Sequence, residues 1–250
     1  MRKFAPPLKD LDESQTTDFH RSIILNKPFL KRIYEEWYAL QKMYLGVDKG
    51  KILEIGSGGG FIKEHLENVI TSDIQKLSYC DLCCDASELP FEDEELSAIL
   101  MINVFHHIPV PEDFLREASR TLKKGGKIIL IEPAKTLLST FIYKHFHHED
   151  FDPNSGWELS EHGKPMSVAN GALPWIVFKR DRARFLSQFP NFQIEVMRDF
   201  MPLKYIVSGG FSRPSILNEK AYDLIGLMEK ILVPVNSVFG MFQLIVIVKK

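Results

Sequence analysis

The stretch "KILEIGSGGGF", residues 51–61, runs a short apolar segment, Ile52, Leu53 and Ile55 around Glu54, into a turn with glycines at 56, 58 and 60. The short apolar run reads as a buried strand, and the flexible residues at its end let backbone amides come close to a ligand. No Lys-Ser/Thr pair follows, which excludes a phosphate-binding P-loop. The dinucleotide fingerprint wants its third glycine three places after the second. Counted from Gly56 and Gly58, that place holds Phe61. The spacing here is instead Glu54-x-Gly56-x-Gly58-x-Gly60.

Downstream, the pattern of apolar runs continues to alternate. "FIKEHLENV" predicts a helix, "VITSDI" and "LCCDA" predict strands, and "LSAILMINV", "PEDFLREASRTL" and "GGKIILIEP" predict a strand, a helix and a strand. Apolar strands alternating with helices imply a parallel sheet covered on both faces. After Pro133 the alternation stops. Residues 135–180 are rich in aromatics, histidine and turn formers; "RDRARFLSQFP" then predicts a helix, and "NFQIEVMRDF" and "FQLIVIVKK" two more strands. The segment from Met201 to Met241 between those strands is an insertion, with a helix predicted in "NEKAYDLIGLMEKIL". Loops of that length are usually functional or carry their own structure. Upstream, "FLKRIYEEWYALQKMYL" places Phe29, Ile33, Trp37, Leu40 and Tyr44 on one helical face.

Composition narrows the function classes. With 250 residues, 45% of them hydrophobic, the chain can bury a large core, and its formal charge of −2 gives no electrostatic case for nucleic acid. The start "MRKFAPPLKDLDES" lacks the apolar stretch of a secretory signal. The run Ile231 to Val248 is interrupted by Pro234, Asn236, Ser237, Gly240 and Gln243, so it reads as a buried helix end plus a strand and not as a membrane span. Cys80, Cys83 and Cys84 lack a second cysteine pair to complete a zinc site; they read as buried free thiols suited to a reducing cytoplasm.

Taken together, these segments resemble the class I S-adenosylmethionine-dependent methyltransferases. "LEIGSGGG" matches that family's first motif and "TSDI" its acidic second strand end, with Asp73 lying 73 − 56 = 17 residues past the first glycine. The stretch from "CCDASELPF" to "GGKIILIEP" matches the adenine-binding Asp, the fourth strand with its loop and helix, and the fifth strand. The resemblance covers Lys51 to Pro133. It implies an α/β fold: a Rossmann-like seven-stranded, mostly parallel sheet with helices on both faces. Residues 1–50 would be an N-terminal helical cap, 51–134 the cofactor-binding core, 135–180 a lid, and 181–250 the rest of the core with the insertion 201–241. Lid and insertion would lie together over the strand carboxyl ends.

The resemblance also implies S-adenosyl-L-methionine as cofactor and assigns residues to it. Gly56, Ser57, Gly58 and Gly60 would approach it by backbone, Glu54 would meet its ammonium group, and Asp73 with Ile74 its ribose. Asp85 and Ala86 would stand beside the adenine, and Asn103 beside the methionine part. His106 and His107 follow Asn103 and are the candidate catalytic residues, with His107 preferred for substrate contact. "KHFHHEDFDP" gathers His145, His147, His148, Glu149, Asp150 and Asp152. Its spacing matches no zinc motif, so no metal is assigned, and it is taken as a substrate-facing lid segment. The aromatic and polar mixture of 135–180 and 201–241 suits a small or amphipathic acceptor, such as a sugar, a lipid-linked glycan or another hydroxylated metabolite. Two other classes stay open: an NAD-dependent oxidoreductase, and a methyltransferase-like binding protein without chemistry.

Overall fold

The computed structural model describes residues 14–46, 50–147, 149–159 and 168–250. Two helices come first, α1 (Ser14–Asn26) and α2 (Pro28–Leu45), with Pro28 starting the second where a missing amide costs nothing. Four strands, a helix and a fifth strand follow: β1 (Lys51–Ile55), β2 (Val69–Asp73), β3 (Leu82–Cys83), β4 (Leu96–Ile102), α3 (Pro111–Thr121) and β5 (Leu122–Pro133). The later elements are α4 (Leu137–Phe146), α5 (Leu173–Trp175) continued by a π-helical turn (Ile176–Arg180), α6 (Arg182–Gln188), β6 (Phe192–Phe200), α7 (Lys204–Ser208), α8 (Tyr222–Leu232), α9 (Asn236–Phe239) and β7 (Phe242–Lys249).

Among the described residues these strands form one seven-stranded sheet in the order β3-β2-β1-β4-β5-β7-β6. Pairing is parallel from β3 to β5, and β7 runs antiparallel to both of its neighbours. Successive residues of β4 and of the second half of β5 are buried, which requires cover on both faces of the sheet. The expected architecture is the one observed.

Two helical expectations change. "FIKEHLENV" forms only a short turn, with a 3-10 segment at Ile62–Glu64, and no helix. The reason is tertiary. The amide of Phe61 donates to Tyr38 Oη at 3.0 Å, the Phe61 ring lies against Tyr38 and Tyr34, and Lys42 Nζ takes the carbonyl of His65. Contacts with α2 therefore override the local periodicity. In α2 itself, the buried stripe keeps Phe29, Ile33 and Trp37 but continues through Tyr34, Tyr38 and Gln41, while Leu40 and Tyr44 are half-buried. The buried Gln41 amide donates to the carbonyls of Met101 and Ile129, fastening the helix to β4 and β5.

The run from Ile231 also differs from expectation, because the end of α8 is not buried: Ile231 is 75% and Val233 59% exposed. The thiols are free, but Cys83 is exposed and Cys80 and Cys84 only half-buried. No described helix is long and apolar enough to cross a membrane.

Residues 135–147 leave from the carboxyl end of β5, and residues 201–241 from the end of β6, with β7 between the two strands. Thr136 Oγ1 donates to the carbonyl of Gly240, and Tyr143 Oη to that of Met241. Lys27 Nζ, at the α1–α2 junction, donates to the carbonyls of Gly210 and Arg213, joining the N-terminal helices to the insertion.

Candidate active site

The turn after β1 is built by backbone geometry. Gly56 has φ +67°, and a Cβ there would lie 2.8 Å from Val104 Cγ1, so the position tolerates neither the conformation nor the bulk of a side chain. Ser57 N donates to Ser72 O at 2.8 Å, which folds the turn onto the end of β2. There Asp73 accepts from Gly58 N at 3.0 Å and from Gln75 N at 2.9 Å. Burial pushes the Asp73 carboxyl up, and those two amides work against the shift.

Three buried polar atoms around this turn have no hydrogen-bond partner: Glu54 Oε2, Ser57 Oγ and Asn103 Oδ1. Leaving such groups dry and unpaired costs about 1–3 kcal/mol each. The Ser57 hydroxyl stands close enough to Glu54 to hold its pKa down, and the three atoms together leave polar capacity open at this turn. Burial raises the Glu54 pKa to about 7. Asn103 has φ +56°, the left-handed region that asparagine adopts more readily than most residues, and its amide donates to Ile131 O.

The other expected positions fall at the same end of the sheet. Ile74 follows Asp73 and is partly exposed. Asp85 lies just past β3, whose Cys83 pairs with Asp73, and its Oδ1 accepts from the amide and hydroxyl of Ser87. Ala86 packs against the core. Gly60 sits beneath Tyr38: a Cβ there would be 2.7 Å from its Oη.

Past Asn103 the chain turns through a 3-10 segment, Phe105–His107, held from below by Glu132 at the end of β5. Glu132 Oε1 accepts from Val104 N at 2.9 Å and Phe105 N at 2.8 Å, and Oε2 lies 2.6 Å from His106 Nδ1. Glu149, after α4, approaches from the other side, 3.4 Å from His106 Nε2 and 3.6 Å from His107 Nε2. Burial opposes charge on His106, yet Glu132 and Glu149 prevail and push its pKa up to about 10. Burial and the neighbouring His106 charge lower His107 to about 4. His106 and His107 lie side by side with ring centroids 4.3 Å apart.

Of the histidine-rich run, His147 and Glu149 join this group, His147 Nδ1 lying 3.6 Å from Glu149 Oε2. His145 does not: it stays on α4, exposed, with Nδ1 at the carbonyl of Phe141. Asp150 bridges to Asn170, and Asp152 forms a local turn with Asn154. His148 lies outside the described residues.

Several site residues were not singled out by the sequence. Glu132 ends an apolar strand just as Glu54 does, and the cost of burying an unpaired carboxylate was the signal that could have found it. Arg21 and Thr17 had no such signal. Arg21 Nη1 donates to the carbonyl of Gly60, and Thr17 Oγ1 to Gln75, so α1 roofs the glycine turn.

Comparison with known proteins bears on the fold. Residues 53–130 match the family model described as "Methyltransferase domain". Two uncharacterized proteins of Methanocaldococcus jannaschii are 29% identical over 114 residues (39% of this chain, 56% of theirs) and 30% identical over 146 residues (54% and 64%). The chain therefore spans between half and two thirds of the length of these curated relatives. Among solved structures, a SAM-dependent methyltransferase from Archaeoglobus fulgidus superposes with TM-score 0.51 at 20% identity, covering 87% of this chain and 94% of that one. The geranyl diphosphate C-methyltransferase of Streptomyces coelicolor A3(2), in complex with Mg2+, geranyl diphosphate and S-adenosyl-L-homocysteine, gives 0.50 at 14%, covering 97% and 87%. Residues 53–130 match a methyltransferase domain, in a chain with the fold of the class I S-adenosylmethionine-dependent methyltransferases.

Proposed function

We propose that this protein transfers the methyl group of S-adenosyl-L-methionine to a hydroxyl of a small or amphipathic acceptor: a sugar, a lipid-linked glycan or another hydroxylated metabolite. The observation that carries the reading is the set of orphaned buried atoms, Glu54 Oε2, Ser57 Oγ and Asn103 Oδ1, around the glycine turn. Their chemistry fits the cofactor. The Glu54 carboxylate answers an ammonium group, Ser57 and Asn103 answer polar groups of the methionine part, and Asp73 retains lone pairs for ribose hydroxyls beyond the two amides it accepts. Asp85, Ala86 and Ile74 line the adjoining strand ends for the adenosine.

When bound, the cofactor supplies a methyl group already activated by its sulfonium. The chain's own task is to align the acceptor with it, which by itself is worth several kcal/mol. His106 and His107 follow the strand end that carries Asn103 and are the residues assigned to the acceptor side. An amphipathic acceptor is supported by the apolar side chains that residues 135–147 and 201–241 expose at this end: Leu137, Phe141, Phe146, Ile216 and Leu217. The free thiols fit a cytoplasmic setting.

Thermal melts with S-adenosylhomocysteine and with NAD test the cofactor. Ligand at a hundred times its dissociation constant stabilises by about 2.7 kcal/mol. A shift with NAD and none with S-adenosylhomocysteine would overturn the reading. Transfer of labelled methyl from S-adenosylmethionine into a lipid extract, compared with free sugars, tests the acceptor. Label in neither fraction, from a protein that binds the cofactor, would remove the proposed acceptor class.

A further inference from the structure

His106, His107 and Glu149 offer one ligand atom each, and these atoms all lie within 4.8 Å of one another. The separations are informative. Glu149 Oε2 stands 3.4 Å from His106 Nε2 and Glu149 Oε1 3.6 Å from His107 Nε2, whereas Glu132 closes on the other nitrogen of His106 to 2.6 Å. A charge-assisted hydrogen bond between nitrogen and carboxylate settles at about 2.7–2.9 Å. By that measure the contacts from Glu149 to the two histidines are long, and the three groups converge on one point. Ligands about 2.0–2.1 Å from a tetrahedral ion stand roughly 3.3 Å apart; the three ligand atoms here lie within 4.8 Å of one another, a spread that a small approach of the side chains would close around an ion.

The surroundings are those of a ligand held in place. Histidines that bind metals usually give their second nitrogen to a carboxylate, which fixes the tautomer and the ring. Glu132 does this for His106 while its other oxygen takes two backbone amides, so the carboxylate is itself locked. The segment bearing Glu149 is tied to the histidines through Asn170. Its amide donates to the carbonyl of His106 at 3.0 Å, it bridges to Asp150, and the next residue, Gly171, donates to the carbonyl of Asp150. His147 is not counted as a ligand, because its Nδ1 takes the amide of Glu149 at 3.3 Å.

We propose that His106, His107 and Glu149 form a binding site for Zn2+ or a similar divalent transition-metal ion, with one coordination position left open to an oxygen ligand. Two imidazoles and one carboxylate select such ions over Mg2+ and Ca2+, which take oxygen donors. Three protein ligands with a vacancy is the pattern of zinc sites that meet a substrate, whereas structural zinc is fully enclosed. The site lies past Asn103, on the acceptor side of the proposed cofactor site. Sequence spacing hid it, because one ligand comes from a segment more than forty residues after the other two. The rival arrangement is a metal-free ion pair, with a protonated His106 held between Glu132 and Glu149.

The test uses the full chain, stripped with a chelator and titrated with Co2+, followed by competition with Zn2+. The expected result is one equivalent of Co2+, visible d–d bands of a low-coordinate site, and loss of those bands on adding Zn2+. His107→Ala and Glu149→Gln should each abolish the bands, and Glu132→Gln should weaken binding about 10- to 100-fold. Glu54→Gln, in the cofactor site, should leave them unchanged. Calorimetry with S-adenosylhomocysteine on the His107, Glu149 and Glu132 variants, and a thermal melt of Glu54→Gln, show that they are folded, and the calorimetry reports on the cofactor reading independently. A wild-type protein that binds S-adenosylhomocysteine but takes up no Co2+ would overturn the metal site. So would Co2+ binding that survives both His107→Ala and Glu149→Gln.

Discussion

Glu132 Oε2 lies 2.6 Å from His106 Nδ1, and both side chains are buried. Taking one partner from such a pair typically costs 3–5 kcal/mol, because the other is left uncompensated. Glu132→Ala also strips an acceptor from the amides of Val104 and Phe105. It should therefore destabilise by at least that amount, while Glu132→Gln, which keeps a carbonyl oxygen for the amides, should cost less. Denaturant melts of the two variants decide the point.

Asp73 carries two loads. As a partner for ribose hydroxyls, its removal in Asp73→Ala should forfeit charge-assisted bonds of roughly 1.5–3 kcal/mol. Cofactor affinity should then fall about ten- to a hundred-fold. Because Asp73 also accepts from Gly58 and Gln75, the unliganded protein should lose about 1–2 kcal/mol as well. Asp73→Asn keeps an acceptor for one amide and should recover part of the stability but little of the affinity. Calorimetric titration with S-adenosylhomocysteine, beside melts of the unliganded proteins, separates the two roles.

Glu54 predicts opposite pH trends for stability and binding. Its pKa rises from 4.5 to about 7 on folding, so its contribution to stability is complete below 4.5 and is lost as pH climbs through about 7. The loss amounts to roughly 3 kcal/mol in the unliganded protein. Binding of an ammonium group needs the carboxylate, so cofactor affinity should increase over the same interval. Subtracting the Glu54→Gln profiles from wild type isolates both trends, and parallel trends would remove Glu54 from the ammonium site.

Gly56→Ala forces an alanine into the left-handed region, at about 1–2 kcal/mol, and drives its methyl into Val104. The two costs can be separated. Adding Val104→Ala makes room for the methyl but leaves the backbone strain, so the double variant should be more stable than the sum of the single losses implies. Strict additivity in melts would mean that the two residues do not touch.

The core was legible because its signals are local. A buried strand such as Leu96–Ile102 shows as an uninterrupted apolar run, and Gly56 and Asp73 sit at strand ends whose spacing the sequence displays directly. The failures arose where contact between distant segments decides the outcome. Phe61 to Asn68 has helical periodicity, yet the Phe61 ring is packed on Tyr38 and Tyr34 and the carbonyl of His65 is taken by Lys42 of α2. Glu149 was visible only as one acid in a histidine-rich run, because its approach to His106 depends on how α4 leaves β5. The exposed end of α8 misled for a related reason: an apolar run indicates that something covers it, and does not say that this chain does.

Gly59 looks like filler between the glycines that define the motif. A β-carbon at this position would fall 2.7 Å from the backbone nitrogen of Arg21 and 2.8 Å from its Cα. The first helix can lie flat on the turn only while position 59 stays bare, and a single methyl there acts as a wedge under it. The lesion from Gly59→Ala should surface far from where it is made. Protease should clip the chain within Ser14–Asn26 at an accelerated rate while the sheet stays resistant, and saturating S-adenosylhomocysteine should fail to restore full protection.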